Sequence, residues 1–257
     1  MRKYQNIVDR LIPIVFILVI LILWQLVVDL GWVERYVLPS PMDIIKALFE
    51  NRSEIMMHTG VTFFEGMVGL AVAITLSLLM AIAMDQFPLV KKAIYPVLVM
   101  SQTVPIIVIA PLLAMWFGFG IAPKIFVVVL VCFFPITVNL IEGLQSVDGE
   151  LINLTRSMGA AKSQIFTKIK FPSALPYFFS GLKIAATYSI MGAVIGEWLG
   201  GKAGLGVYML RARHAFALDL VFASILVIVI LSIGLFYGIA MIQRALMPWE
   251  KLKEEEE

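Results

Sequence analysis

Two groups of residues in the chain have types and spacing that could do chemistry. Gly196–Lys202, GEWLGGK, nearly spells a loop whose backbone amides and lysine would cradle a nucleotide phosphate. Ala203 stands where that motif has Ser or Thr, and an apolar run rather than a strand precedes it, so we expect no nucleotide site. Glu65 and Glu197, at the ends of apolar runs, could line a gate or simply be solvated, and we favour solvation at the membrane interface.

The histidines and the single cysteine do not predict a metal site. His58 and His214 lie far apart in the sequence and have no ligand-spaced companions. Cys132 lies in an apolar run, where it is expected to be a small packing residue, and alone it excludes an intrachain disulfide. No Ser/His, paired-carboxylate or metal constellation appears at membrane depth. We therefore predict a protein that is not an enzyme, with no catalytic residue, cofactor or metal of its own.

The composition predicts an all-α integral membrane protein. Hydrophobic residues make up 61% of the 257 residues and charged residues 15%, and a net charge of +2 gives no sign of a nucleic-acid partner. At roughly 20 residues per crossing, the runs without charge hold six helices in a single transmembrane domain, 1–257. The predicted spans are about 11–30, 62–84, 93–117, 125–143, 177–199 and 220–243.

Two of these spans carry irregular features. Pro96, Pro105 and Pro111 predict kinks in the third span. Lys183 lies about two turns inside the fifth span, where its stem is expected to snorkel towards the interface. Six spans put both termini on one side. That side carries most of the 20 Lys and Arg residues, which predicts cytoplasmic termini.

Polar residues and glycines inside the spans divide into two sets. Glycines repeat every four residues in two spans, at Gly192, Gly196 and Gly200 and again at Gly234 and Gly238, a spacing for close helix packing that we favour over direct solute contact. Hydroxyls at membrane depth can line a passage or bond to their own helix backbone. The candidates for a weakly polar passage are Gln102, Thr103, Asn139, Thr187, Ser189 and Glu197.

Between the first two spans, the sequence predicts a short helix. Pro41 would open it after an N-cap at Ser40. Its apolar residues are expected to share one face that packs on the membrane surface. Those residues are Ile44, Ile45, Leu48 and Phe49.

The basic loop 145–176 is the segment best suited to contact from water. It predicts one short helix over Glu150–Met158, a turn at Gly159 and Ala160, and a second helix over Lys162–Lys170 that Pro172 and Pro176 stop. Ile165, Phe166 and Ile169 would share an apolar face beside a charged rim. Such a pair of helices can seat in a partner's groove. It can equally lie on lipid headgroups, and the residues alone favour neither interpretation.

The same loop resembles the cytoplasmic signature loop of permease subunits of binding-protein-dependent ABC importers. That motif runs Glu-Ala-Ala, three residues, Gly, nine residues, Ile-x-Leu-Pro. Gly159 matches its glycine, and Ile169, Phe171 and Pro172 match its end at the same spacing, with Phe171 in place of leucine. The opening departs from the motif, because Asn153, Leu154 and Thr155 stand where Glu-Ala-Ala is usual.

The resemblance covers nearly the whole chain and is strongest to permeases of the taurine, nitrate and sulfonate type. It is carried by YVLPSPMDIIKAL, PLLAMWFGFGIAPKIF and GEWLGGKAGLG, and the Gly196-Glu197-Trp198 variant is similar to permeases for thiamine precursors such as pyrimidines. It implies a type I importer permease fold in the bacterial inner membrane and transport of a small polar solute.

The resemblance also implies the partners: a cytoplasmic ATPase subunit that binds the ATP, an external substrate-binding protein, a second copy of the chain and membrane lipid. The contacts with the ATPase would come from Asn153, Leu154, Thr155, Gly159, Ala160, Ile165, Phe166, Ile169 and Pro172. The alternative is a gradient-driven secondary transporter or channel, which predicts buried ionisable residues and inverted repeats. A non-transporting scaffold is a weaker third possibility.

Overall fold

The computed structural model describes residues 2–249, with side chains from residue 11 onward, and this part of the chain is mostly helical, without a strand. Its α-helices are α1 Arg2–Asp29, α2 Pro41–Glu50, α3 Arg52–Gln86, α4 Pro88–Ser101, α5 Ile106–Phe117, α6 Ile121–Gln145, α7 Gly149–Ser157, α8 Lys162–Ile165, α9 Phe171–Glu197, α10 Leu205–His214 and α11 Leu218–Leu246. A π-turn over Phe166–Lys170 joins α8 to α9. The chain groups into two compact units. The first takes residues up to His58 together with Tyr208–Val227, and the second takes Thr59–Val207 together with residues from Ile228 onward.

Five helical stretches in the described residues are long and apolar enough to cross a membrane. The count of six holds if α4 and α5 are taken as one span, because these two helices bend by 103° at a short break. A bend of this size is more than the kink that the prolines predicted, and α4 and α5 form either one broken span or a re-entrant loop. Of the three prolines, Pro105 lies at the break as the N-cap of α5, while Pro96 and Pro111 remain inside helices. The cytoplasmic placement of the termini stays a prediction, and so does the single domain.

The core of the second unit is the antiparallel pair α6 and α9, which pack against each other more extensively than any other two helices. Small residues allow this approach. A Cβ built on Gly192 would lie 2.8 Å from Val131 Cγ2, and one on Gly196 would lie 2.9 Å from the Cα of Lys124. The prediction that glycines serve helix packing is confirmed for Gly192 and Gly196, whereas a Cβ on Gly234 or Gly238 would meet nothing within 4 Å. In lipid, close backbone approach of this kind replaces the hydrophobic effect as the source of helix association.

The fifth span is longer than its sequence suggests. Pro172 and Pro176 were expected to stop the loop helix, and that expectation is wrong: helical structure continues from Lys162 to Glu197. Pro172 occupies the first turn of α9, where a proline needs no amide partner. The π-turn before it absorbs the change in hydrogen-bond pattern. One helical rod, roughly 54 Å long at about 1.5 Å per residue, therefore runs from the loop to Glu197.

The short helix α2, in the first unit, begins as predicted after an N-cap at Ser40. The Ser40 hydroxyl accepts from the Asp43 amide at 3.2 Å, and the Asp43 carboxylate accepts from the Ser40 amide at 3.1 Å. The Ser40 side chain also donates to Asp43 at 2.8 Å, which lowers the pKa of that carboxyl below its ordinary value. Ile44 is buried, whereas Ile45 and Phe49 are exposed, and the packing of this face on the membrane surface stays a prediction.

Candidate functional site

The first limb of the loop 145–176 is helix α7, which exposes a row of apolar side chains on its surface. Asp148 caps it by accepting the Glu150 amide at 2.8 Å. Leu151, Leu154 and Met158, at i, i+3 and i+7, share one face and are 47%, 61% and 79% exposed. Apolar side chains this exposed on a helix that is otherwise polar mark a surface to be covered by something else.

The predicted contacts Asn153 and Thr155 lie on the same helix. Asn153 is exposed and Thr155 is half-buried. The Thr155 hydroxyl donates to the Leu151 carbonyl at 2.6 Å, so it is engaged by its own helix.

The turn after α7 depends on Gly159. Its φ is +86°, the left-handed region that side chains disfavour, and a Cβ there would meet nothing within 4 Å. The Gly159 amide donates to the Arg156 carbonyl at 3.0 Å, and the Ala160 amide donates to the Thr155 carbonyl at 3.2 Å. These two bonds form the Schellman ending of a helix. The glycine is therefore required by backbone conformation and not by space.

The second limb holds the loop in place and does not offer its apolar face outward. Ile165 is buried, and Phe166 packs on a core cluster that includes Leu140 and Ala174. Ile169 is half-buried on the same side. The apolar face predicted for this limb exists, but it anchors the loop to its own chain. The exposed apolar row lies instead on the first limb, α7. Leu151 and Met158 were not predicted as contact residues, although their i, i+7 spacing around Leu154 is visible in the sequence.

An ion pair fixes the loop to the end of α3. Lys170 Nζ lies 2.7 Å from Asp85 Oδ1, and the side chains are 23% and 5% exposed. A cleft of about 300 Å³ beside this pair is lined also by Arg156, Lys162 and Phe166. A charge-assisted bond in so shielded a position fixes the geometry of the loop more firmly than a surface pair would.

The residues predicted for a passage are not brought together at one place. Gln102 and Thr103 are exposed at the break between α4 and α5, and the Thr103 hydroxyl donates to the Met100 carbonyl at 2.7 Å. Three others bond to carbonyls of their own helices. These are Asn139 to Pro135 at 2.8 Å, Thr187 to Ile184 at 2.8 Å and Ser189 to Ala186 at 2.8 Å.

Glu197 sits in a buried polar network and is only 1% exposed, so the expectation that it is solvated is wrong. Its carboxylate accepts from the Thr62 hydroxyl at 2.6 Å and from the Gly206 amide at 2.5 Å. The Thr62 hydroxyl in turn accepts from the Leu205 amide at 2.8 Å. A Cβ on Gly204 would collide with the Glu197 carboxyl group, so the glycine-rich segment is shaped around this side chain.

Glu65 is buried as well, and its partner lies on α6. Lys124 Nζ lies 2.6 Å from Glu65 Oε1, with side-chain exposures of 9% and 4%. The expectation of a solvated Glu65 is therefore wrong for the same reason. An ion pair taken out of water persists only with good geometry and further hydrogen bonds.

The described residues thus combine membrane-length helices with an anchored loop that displays an apolar row. The chain belongs to the family of binding-protein-dependent transport system inner membrane components, whose model matches residues 73–250. The chain is thus a multi-pass inner-membrane permease of the ABC importer class for small solutes.

Named relatives agree with this class. The chain is 38% identical to the formylaminopyrimidine transport permease protein ThiX of Halalkalibacterium halodurans over 251 residues, covering 97% of the chain and 98% of the relative. It is 29% identical to the taurine transport system permease protein TauC of Escherichia coli over 238 residues, covering 90% and 86%. These relatives are transport permeases, and their names match the types to which the sequence showed a resemblance.

The fold has a solved counterpart. A chain of the inward-facing MetNI methionine ABC transporter superposes with a TM-score of 0.57 at 19% identity, covering 75% of this chain and 94% of that one. This likeness confirms the type I importer permease fold.

Proposed function

We propose that this permease is driven by a separate ATPase that docks on the loop 145–176. The ATPase would bind the ATP and would be cytoplasmic, which places both termini on that side. The observation that carries the proposal is the exposed row of Leu151, Leu154 and Met158 on α7. An amphipathic helix of this kind, held on a rigid support, suits the groove of a protein partner.

Force applied to α7 has a direct route into the membrane domain. The pair Lys170–Asp85 ties the loop to α3, and Phe166 ties it to the core cluster of α6 and α9. The loop also continues without a helical break into α9. Closure of two ATPase subunits would therefore move whole helices and would not merely deform a loop. Rigid-body movement of packed helices is how such domains change between two states.

The remaining partners follow from membership of the family. Two copies of the chain would form the domain through which the solute passes, with lipid around it. An external substrate-binding protein would deliver the solute and supply most of the selectivity. The names of the relatives support a small polar solute of the formylaminopyrimidine or taurine type.

The test replaces the apolar row and leaves its support unchanged. Leu154→Ser with Met158→Ser should abolish co-purification of the ATPase and ATP-dependent uptake in proteoliposomes, because the covered apolar area is lost. Ser157→Thr, which changes an exposed polar side chain on the same helix outside the predicted contacts, is the matched control and should retain most of both. Full assembly and uptake by the double variant would refute the docking role of α7.

The same liposomes test the alternative of a gradient-driven transporter. The buried pair Glu65–Lys124 and Lys183 are ionisable groups of the kind that this alternative requires. Uptake by the chain without any ATPase, driven by a proton or sodium gradient, would establish the alternative. We expect no uptake without the ATPase and ATP.

A further inference from the structure

Lys183 lies near the middle of the membrane-length helices, and its depth can be read from how α6 and α9 pack. A Cβ built on Gly181 would lie 2.5 Å from the Pro135 carbonyl oxygen and 3.0 Å from Asn139 Cβ. Gly192, further along α9, meets Val131 in the same way. Lys183 is therefore level with the middle part of α6, roughly 3 to 8 Å along the axis from its midpoint at about 1.5 Å per residue.

The ammonium group is not carried to a helix end by its side chain. Lys183 Nζ lies 5.9 Å from the centroid of the Phe236 ring on α11. Phe236 itself is roughly 6 Å from the midpoint of that helix. A ring face at this distance attracts a cation, so the contact holds the lysine at depth. The snorkelling of Lys183 to the interface stays a prediction, and the structure shows the contact with Phe236.

Within the part of the chain that the structure describes, no carboxylate forms an ion pair with Lys183. None lies within 4.0 Å of Lys183 Nζ in residues 11–249. The contrast with Lys124 is sharp, because Lys124 is buried with Glu65 at 2.6 Å. A cation at membrane depth is costly when it faces lipid, and in folded membrane proteins it faces a partner group or a water-filled cavity.

The surface around Lys183 on α9 is partly open and mixes polar residues with the exposed side chains of Tyr177, Ile184 and Tyr188. Ser180 and Thr187, three residues before it and four after it, lie on the same side of the helix. Ser180 is exposed and Lys183 and Thr187 are half-buried. The two hydroxyls donate to carbonyls of their own helix at 3.0 and 2.8 Å, and each oxygen can still accept a hydrogen bond. We define these three residues as the α9 polar stripe.

We infer that the α9 polar stripe lines the solute passage and that Lys183 donates hydrogen bonds there to acceptor atoms of the transported solute. The ligand class is a small solute rich in acceptors, such as the oxygens of a sulfonate or the ring nitrogens and carbonyl of a pyrimidine. An ammonium serves either chemistry, since it offers three donors together with a charge. The Phe236 ring beside it adds an apolar surface for a planar solute. This inference rests on the proposed function.

Water access to position 183 is the first test, because it does not depend on transport. Cys132 is the only cysteine and is buried, so Cys132→Ser with Lys183→Cys gives a single reporter thiol. In the assembled complex, a membrane-impermeant charged thiosulfonate should label this thiol, and saturating solute should slow the labelling several-fold. The native chain, with only Cys132, is the unlabelled control. No labelling in any nucleotide state would overturn the inference, since a thiol facing lipid or a second copy stays unreactive.

Uptake by side-chain variants is the second test. Lys183→Met should lower ATP-driven uptake by about tenfold or more, because a hydrogen bond from a charged donor is lost. Lys183→Arg should retain most uptake of an anionic solute, whereas Lys183→Gln should retain uptake only of a neutral one. Lys92→Met removes an exposed lysine of α4 and serves as the charge-matched control. Wild-type uptake by Lys183→Met, with either class of solute, would overturn the inference.

The two proposals fail in different ways. If Lys183→Met still binds the ATPase but loses uptake, the docking of the ATPase stands and Lys183 acts in the passage. If the wild-type chain neither binds an ATPase nor uses ATP, the proposed function fails whatever position 183 does. Loss of ATPase binding by Lys183→Met together with unreactive Lys183→Cys would mean that Lys183 only stabilises the fold, which contradicts the inference.

Discussion

The network around Glu197 yields a prediction that can be worked out from its hydrogen bonds. Thr62→Val keeps the shape of the side chain and removes its hydroxyl, so no cavity is created. The substitution deletes the donor to Glu197 at 2.6 Å and the acceptor for the Leu205 amide at 2.8 Å. Both groups are buried, and Glu197 is only 1% exposed. Losing a bond to a charged group costs about 1.5 to 3 kcal/mol, and leaving a buried amide unpaired costs about 1 to 3 kcal/mol.

The expected loss of unfolding free energy for Thr62→Val is therefore about 2.5 to 6 kcal/mol. It can be measured by denaturant titration of the purified chain in mixed micelles, followed by tryptophan fluorescence. Thr62→Ser keeps the hydroxyl and loses one methyl group, which costs about 0.5 to 1.5 kcal/mol. Hydrogen exchange of the Leu205 and Gly206 amides should accelerate in the valine variant and not in the serine variant.

Wild-type stability of the valine variant would refute this account of the network. It would mean that water or another side chain replaces the hydroxyl at no cost, and that Glu197 does not need Thr62. Equal loss in both variants would be just as damaging, because packing of the methyl group would then explain the effect without any hydrogen bond.

Three further predictions concern the ends of helices. Gly159→Ala should cost about 1 kcal/mol in unfolding free energy, because only the left-handed φ opposes it, and Gly159→Asn should cost less. Asp85→Asn should cost about 2 to 3 kcal/mol by leaving the partly buried Lys170 unpaired, and it should weaken ATPase co-purification, whereas an unchanged melting temperature would contradict the role of the pair. Ser40→Ala should cost about 1 kcal/mol through the lost cap of α2. Because the folded-state pKa of Asp43 is lowered, its stabilising contribution is present at neutral pH and is lost as the pH falls through that pKa, so wild type and Ser40→Ala should differ less at pH 3 than at pH 7.

The sequence predicted those elements that are decided locally. Runs without charge locate the membrane-length helices because each must satisfy its own backbone in lipid. Gly159 marked the turn after α7 because a left-handed residue at a helix end is a local requirement. Ser40 and Pro41 marked the start of α2 for the same reason.

What the sequence did not predict depends on residues far apart in the chain. Thr62 and Glu197 are 135 residues apart, and the sequence around either residue gives no sign of the hydrogen bond between them. Each carboxylate taken alone is better placed in water, so solvation was the reasonable expectation. The prediction that the prolines stop the loop helix was wrong for a different reason. Pro172 in a first turn and Pro176 after a π-turn do not break a helix that is already stabilised by packing.

Burial in this chain also runs opposite to the expectation from soluble proteins. The least apolar of the five membrane-length helices is Lys162–Glu197, and 56% of its 18-residue apolar stretch is buried. The corresponding buried share is 0% for the very apolar α11 and 6% for the span Leu11–Asp29. In lipid, an apolar helix gains no free energy by exchanging contacts with lipid tails for contacts with another apolar helix. Helices that carry glycines and polar groups therefore associate most closely. Gly181, Gly192 and Gly196 supply the close approach on α9, and Lys183 lies on the same helix. The helix that holds this unit together is therefore also the helix able to offer polar groups to a solute, and a substitution on α9 must be tested for assembly before any loss of uptake is assigned to the passage.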